Sequence, residues 1–147
     1  MDPVQELLAL EALRRLKARY FYTVDMRDRE GWLALWAPDA SFQWEQSVSA
    51  GGQDGNPGEL FVGKALARVF DELLATSQSV HQGHCPMIDV LSETEARAIW
   101  PMEDIVTLPR QKIHGWGHYH ETYRKIGGEW KIQTSFLKRL RLEFAQV

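Results

Sequence analysis

Three short stretches carry the residues that could move protons. Ser79-Val80-His81-Gln82-Gly83-His84 opens one strand with histidines, and Trp100-Pro101-Met102-Glu103-Asp104 sets a carboxylate on the next. Ala18-Arg19-Tyr20-Phe21-Tyr22-Thr23-Val24-Asp25 supplies phenols and another acid from a helix. Tyrosine, histidine and aspartate drawn from separate elements can build a proton-transfer site with neither metal nor cofactor. Histidine is the natural base, because free imidazole titrates near about pH 6.5. A phenol can polarise a carbonyl, and a carboxylate can fix the histidine tautomer.

The elements that must position these groups follow from periodicity. Asp2 caps a first helix with Pro3 at its first position. Leu13, Leu16, Tyr20 and Val24 recur at helical spacing as its buried stripe, and the helix ends near Asp25 to Arg27. Asp28 caps a short second helix that runs to Trp36, stopped by Pro38 and Asp39. Ser41 to Gln46 reads as a strand, and the glycine-rich Ser49 to Gly58 as a mobile loop. A third helix is expected from Gly63 to Leu74. Four strands follow, over Ser79–Leu91, Ala96–Leu108, Lys112–Ile126 and Glu129–Leu142. Their short links imply an antiparallel meander. Helices first and a meander after imply an α+β fold, with helices on one face of a curved sheet.

Composition narrows the function classes. A chain of 147 residues, 44% hydrophobic and 25% charged, is one soluble globular domain spanning 1–147. A formal net charge of -3 argues against nucleic acid as a partner. The basic run Lys138, Arg139, Arg141 reads as a solvated strand face or a local anion contact. The single cysteine, Cys85, excludes an intrachain disulfide and reads as a small buried residue. The acidic, amphipathic start is no secretory signal, and no stretch approaches the roughly 20 apolar residues of a membrane span. A cytoplasmic protein with no membrane partner is expected.

The order of elements resembles the SnoaL-like group of the nuclear transport factor 2-like superfamily, a cone-shaped α+β fold. That group includes scytalone dehydratase, bile acid 7α-dehydratase and polyketide cyclases. The resemblance is carried by Lys17-Ala18-Arg19-Tyr20 with Asp25, by Leu35-Trp36-Ala37-Pro38-Asp39-Ala40, and by His81 heading a strand. It is completed by Gly117-His118-Tyr119-His120-Glu121-Thr122-Tyr123-Arg124, followed by Gly128-Glu129-Trp130-Lys131-Ile132. The dehydratase-like members imply Tyr20, Asp25, His81 and Asp104 as site residues.

Each also has a plainer reading. Tyr20 sits within the apolar stripe and serves equally as a core tyrosine. Asp25, five residues on, falls about 140° from Tyr20 on an ideal helix, so it reaches the same cavity only where the helix ends or distorts. Otherwise it braces the turn. Alternation puts His81, Gly83 and Cys85 on one strand face and His84 on the other. Asp104 shares a face with Ala98, Trp100 and Met102, where an unpartnered charge would be costly. Trp100 and Met102 are therefore expected in the pocket, with Glu103 facing away. By resemblance Tyr119 lines the cavity, and Glu121 shares its face. His118 and His120 lie on the other face with His114 and Trp116. A cupin-type site would need a glutamate about four residues beyond the second His, where Arg124 and Lys125 stand, so no metal is expected.

These readings converge on a cofactor-free lyase, a dehydratase, acting on a hydrophobic small-molecule substrate with a ring and a carbonyl. An isomerase or polyketide cyclase using the same enolate is the alternative, as is a binding module without catalysis. Bulky residues such as Ile99 and Trp116 on sheet faces that the helices cannot cover imply a homodimer.

Overall fold

The computed structural model describes all of residues 1–147. Its first helix, α1 (Pro3–Asp25), begins with Asp2 accepting from the Val4 amide at 3.3 Å and with Pro3 in the first turn. Leu13, Leu16, Tyr20 and Val24 form the buried stripe, at 0%, 4%, 2% and 4% exposure. Lys17, one turn before Tyr20, is equally buried. At the end of α1 the chain turns through Arg27 in the left-handed region (φ 56) and enters α2 (Arg29–Leu33), where Asp28 accepts from the Gly31 amide.

The second helix is shorter than the sequence reading, because strand β1 (Trp36–Trp44) takes over Trp36, Pro38 and Asp39. A proline is tolerated there because its missing amide falls where the pairing slips, between Trp36 and Ser41. Strand β2 (Phe61–Val62) is a two-residue addition that the glycine-rich composition around it conceals. The third helical segment is not one regular α-helix. A tight turn over Gly63–Ala65 leads into α3 (Leu66–Arg68) and then into a wide π turn over Val69–Leu74. The Ala75 amide there reaches back five residues to the Phe70 carbonyl.

The strand expected over Ser79–Leu91 is two strands, β3 (Gln78–Gly83) and β4 (Met87–Val90). They part at His84-Cys85-Pro86, where Pro86 has no amide to give. This break leaves Cys85 exposed rather than buried. Both strands pair antiparallel with the long β5 (Glu95–Thr107), β4 with its first half and β3 with its second. β6 (Gln111–Ile126) and β7 (Glu129–Gln146) complete the meander, and β1 pairs parallel to β7.

The sheet order is β2-β1-β7-β6-β5-β3, so β3 is an edge strand. The helices cover one face of this curved sheet, giving the cone-like α+β arrangement that the order of elements implied. Between the two layers lies an aromatic core in which Tyr20, Trp32, Trp36 and Phe42 meet edge-on or tilted, with ring centroids 5.2 to 6.4 Å apart. No helix is long and apolar enough to cross a membrane.

Candidate active site

His81 and Asp104 are direct cross-strand partners, so strand alternation puts both on the inner face of the sheet. Asp25 reaches His81 from the other side. As the last residue of α1 it meets β3 at Ser79 and His81 rather than the cavity itself. Its Oδ1 accepts from the Ser79 hydroxyl at 2.9 Å and from His81 Nδ1 at 2.7 Å, and its Oδ2 accepts from the His81 amide at 2.8 Å. A carboxylate only accepts, so the ring proton sits on Nδ1 and the Nε2 lone pair is left free. Nε2 lies 3.9 Å from Asp104 Oδ2. The imidazole is also stacked on Phe21, at 6.4 Å and 22°. Gly83 makes room for that ring: a Cβ there would come within 2.4 Å of it.

Asp104 is not left unpartnered. Arg139 grips it with two parallel bonds, Nη1 to Oδ1 at 2.7 Å and Nη2 to Oδ2 at 3.0 Å. The side chains of this pair are only 7% and 5% exposed. Here the sequence reading requires correction, since Arg139 is neither solvated nor aligned with its basic neighbours. Opposite Trp116 and Gly117, β7 carries one extra residue, Leu140. This bulge reverses the inward phase of the strand. Leu137 and Arg139 point inward before it and Leu142 after it, whereas Lys138 and Arg141 stay exposed. Across the sheet, Gly115 lies opposite Asp104, and a Cβ there would come within 2.4 Å of Arg139 Nη1 and 2.6 Å of Asp104 Oδ1.

These groups open onto a cavity of about 440 Å³. Tyr20, His81, Asp104, Tyr119 and Arg139 line it together with the polar Glu45, Gln46 and Gln111, and Leu73, Leu74, Ile113, Leu142 and Phe144 contribute apolar wall. Tyr20 from α1 and Tyr119 from β6 meet edge to face at 5.7 Å. Burial holds the Tyr20 phenol far above its ordinary range, with the Glu121 charge adding to the effect. Burial does the same to Tyr119. Both therefore remain neutral donors.

The other residues singled out in the sequence do not line this cavity. Asp25 stands behind His81. Trp100 Nε1 donates to the Tyr123 hydroxyl at 2.9 Å, and Met102 sulfur lies 3.8 Å from Arg139 Nη1. Glu121 is fully buried in an ion pair with Lys17, Nζ to Oε2 at 2.8 Å. Sequence reasoning missed Lys17 and Arg139. A lysine within the Leu13–Val24 stripe was the available signal for the first; nothing local signals the second, because the bulge depends on pairing. On the outer sheet face His114 Nε2 contacts Glu103 Oε2 at 2.7 Å and its ring stacks on Trp116 at 4.0 Å. His118 and His120 also lie outside the cavity.

A family model described as a SnoaL-like domain matches residues 5–135. The chain is 24% identical over 137 residues to the probable cyclase FGR4 of Gibberella zeae, covering 90% of this chain and 91% of that one. Among solved structures, a candidate scytalone dehydratase of Novosphingobium aromaticivorans superposes with a TM-score of 0.78 at 23% identity, over 97% of this chain and 91% of that one. The hexachlorocyclohexane dehydrochlorinase LinA-type3 of Novosphingobium barchaimii superposes with a TM-score of 0.73 at 19% identity, over 98% and 93%.

Proposed function

The chain belongs to the SnoaL-like family, and from that premise we propose that it is a cofactor-free lyase, a dehydratase that removes water from a hydrophobic cyclic hydroxy-ketone. One observation carries the reading. Asp25 fixes the proton of His81 on Nδ1, and the free Nε2 faces a largely apolar cavity between an ion-paired carboxylate and two neutral phenols.

His81 Nε2 takes the proton α to the carbonyl, and the C–H electron pair moves toward the carbonyl oxygen as an enolate. Tyr20, with Tyr119 beside it, donates to that oxygen as its charge grows. The enolate then re-forms the carbonyl by expelling the β-hydroxyl, which receives the proton from Nε2 and leaves as water. Asp25 holds the tautomer and steadies the imidazolium. Asp104 faces the protonated Nε2 from the other side, and Arg139 keeps this carboxylate from acting as a competing base. Five of the residues singled out in the sequence, Tyr20, Asp25, His81, Asp104 and Tyr119, enter this scheme, and Arg139 joins them. Trp100, Met102 and Glu121 support it from the core.

The likeness to a cyclase-named relative favours a second reading, in which the same enolate attacks a second carbonyl within the substrate and closes a ring. Both start from one proton abstraction, so one experiment addresses them. Hydroxy-ketones, cyclic enones and poly-ketones are screened with the wild type, His81→Ala and Tyr20→Phe. The proposal expects His81→Ala to abolish turnover with ligand affinity nearly intact. Tyr20→Phe should slow turnover on the order of 10- to 1000-fold. Turnover surviving His81→Ala removes His81 from the mechanism. Wild-type binding without any turnover makes the domain a binding module.

A further inference from the structure

The mechanism above leaves one charged pair unused. Lys17 and Glu121 are both without exposed side-chain surface. An ion pair in such a place costs stability relative to apolar residues of the same size. Its surroundings indicate what it does. Glu121 Oε2 accepts from Lys17 at 2.8 Å and from the Ser135 hydroxyl at 2.6 Å, and Oε1 accepts from the Tyr123 hydroxyl at 2.7 Å. The Tyr123 oxygen in turn accepts from Trp100 Nε1, so its own proton is directed to Glu121. The 2.8 Å contact pairs the Glu121 carboxylate with the Lys17 ammonium, whose charge burial opposes and Glu121 supports.

An ammonium has three protons to place, and Glu121 takes one. The other two have only aromatic faces. Nζ lies 3.8 Å from the ring centroid of Tyr20 and 3.6 Å from that of Tyr119. Lys17 therefore touches the π faces of the same two phenols whose rings line the cavity. Three donors spread the charge of Glu121, whereas the Lys17 charge is spread over little but the two rings. The pole in contact with each ring is positive, and the Glu121 charge, which raises the Tyr20 phenol, works against it. A cation against the face of a phenol draws electron density from its oxygen and makes the O–H a stronger donor.

We infer that Lys17, held by Glu121, is a positioning residue that fixes Tyr20 and Tyr119 and biases the cavity toward a planar oxyanion, a phenolate or enolate, over the neutral form of the same ligand. The inference rests on Tyr20 and Tyr119 as the donors of the proposed reaction, and it does not depend on His81 as base.

The test uses 4-nitrophenol, whose ionisation is read by visible absorbance, and 4-nitrotoluene, which lacks the hydroxyl. Wild type should bind the phenolate in preference to the phenol. The double variant Lys17→Met/Glu121→Leu removes both charges together, so no buried charge is left alone to unfold the protein. It should reduce that preference on the order of 10-fold, while 4-nitrotoluene affinity stays within about twofold. Tyr20→Phe/Tyr119→Phe should abolish the preference. A folded double variant that retains it overturns the inference, and so does a wild type that binds both forms alike. Equal losses for both probes reduce Lys17 to packing and also overturn it. The same measurement in His81→Ala separates this outcome from failure of the proposed base, since the equilibrium needs no proton abstraction by His81.

Discussion

Gly115→Ala should break the Arg139–Asp104 pair without touching either residue. The added methyl would stand 2.4 Å from Arg139 Nη1 and 2.6 Å from Asp104 Oδ1, each about an ångström too close. Those atoms are bonded to each other at 2.7 Å in a pair whose side chains are 7% and 5% exposed. The Arg139 backbone is held by a hydrogen bond from its N–H to Glu45 Oε1 at 2.7 Å, so the side chains themselves must give way. Breaking a buried pair by removing one partner costs about 3–5 kcal/mol. Displacement is milder than removal, so a loss of about 2–4 kcal/mol is expected. For a domain of this size that lowers Tm by about 5–15 °C. Urea denaturation followed by circular dichroism measures it, with a double-mutant cycle as the decisive arm. In an Arg139→Ala background, Asp104 is free to swing aside, and Gly115→Ala should cost less than half as much. Equal cost in both backgrounds, or a cost below about 0.5 kcal/mol in the wild type, would refute the claim that Gly115 exists to seat the pair.

Asp25→Asn keeps the shape of the brace but can offer its own N–H to His81 Nδ1, which reverses the tautomer; turnover should fall about 1,000- to 10,000-fold, with KM little changed. Tyr20, Tyr119 and Tyr123 are all held above their ordinary ionisation range by burial. Above about pH 10 the unfolded chain loses these protons while the folded one keeps them, so stability is full below that pH and falls as pH rises. Near-ultraviolet absorbance should show most tyrosinate appearing only as circular dichroism reports unfolding; tyrosinate rising well before it would contradict the assignment. We also propose a homodimer through the open sheet face, where Ile99, Ile105, Trp116 and Phe136 are only partly covered and Leu140 is 49% exposed. Light scattering that reports about 17 kDa at micromolar concentration would refute it.

The parts of the fold legible in the sequence were those set by short-range periodicity. The stripe Leu13, Leu16, Tyr20, Val24 gave α1 and its inward face, and the short links between the expected strands gave the β4–β5 and β6–β7 hairpins. His81 and Asp104 could be placed on inward faces by alternation. What alternation could not supply was register. That His81 and Asp104 lie directly opposite each other depends on β4 taking up the first half of β5 and leaving β3 the second. Arg139 was illegible for the same reason: its direction is decided by one unpaired residue, Leu140, whose bulge exists only in the pairing with β6. Helical spacing turns Asp25 away from Tyr20 and off the cavity; that it meets His81 from behind depends on where β3 lies against the end of α1, which spacing alone could not supply. Trp100 and Met102 share the inward face of Asp104, yet lie where that face is already filled by core.

The contact between Asp25 and the His81 amide reaches beyond the site. β3 closes one side of the sheet, and the backbone N–H groups along such a border can recruit a strand from another molecule. At His81 that opportunity is removed, because the outward amide is already occupied by a carboxylate carried on a helix. The group that orients the base thus also leaves an incoming strand one donor fewer at this border. Substituting Asp25 by a residue that cannot accept would therefore alter shelf life as well as turnover, and the clouding of a concentrated stock would report the loss of this second duty.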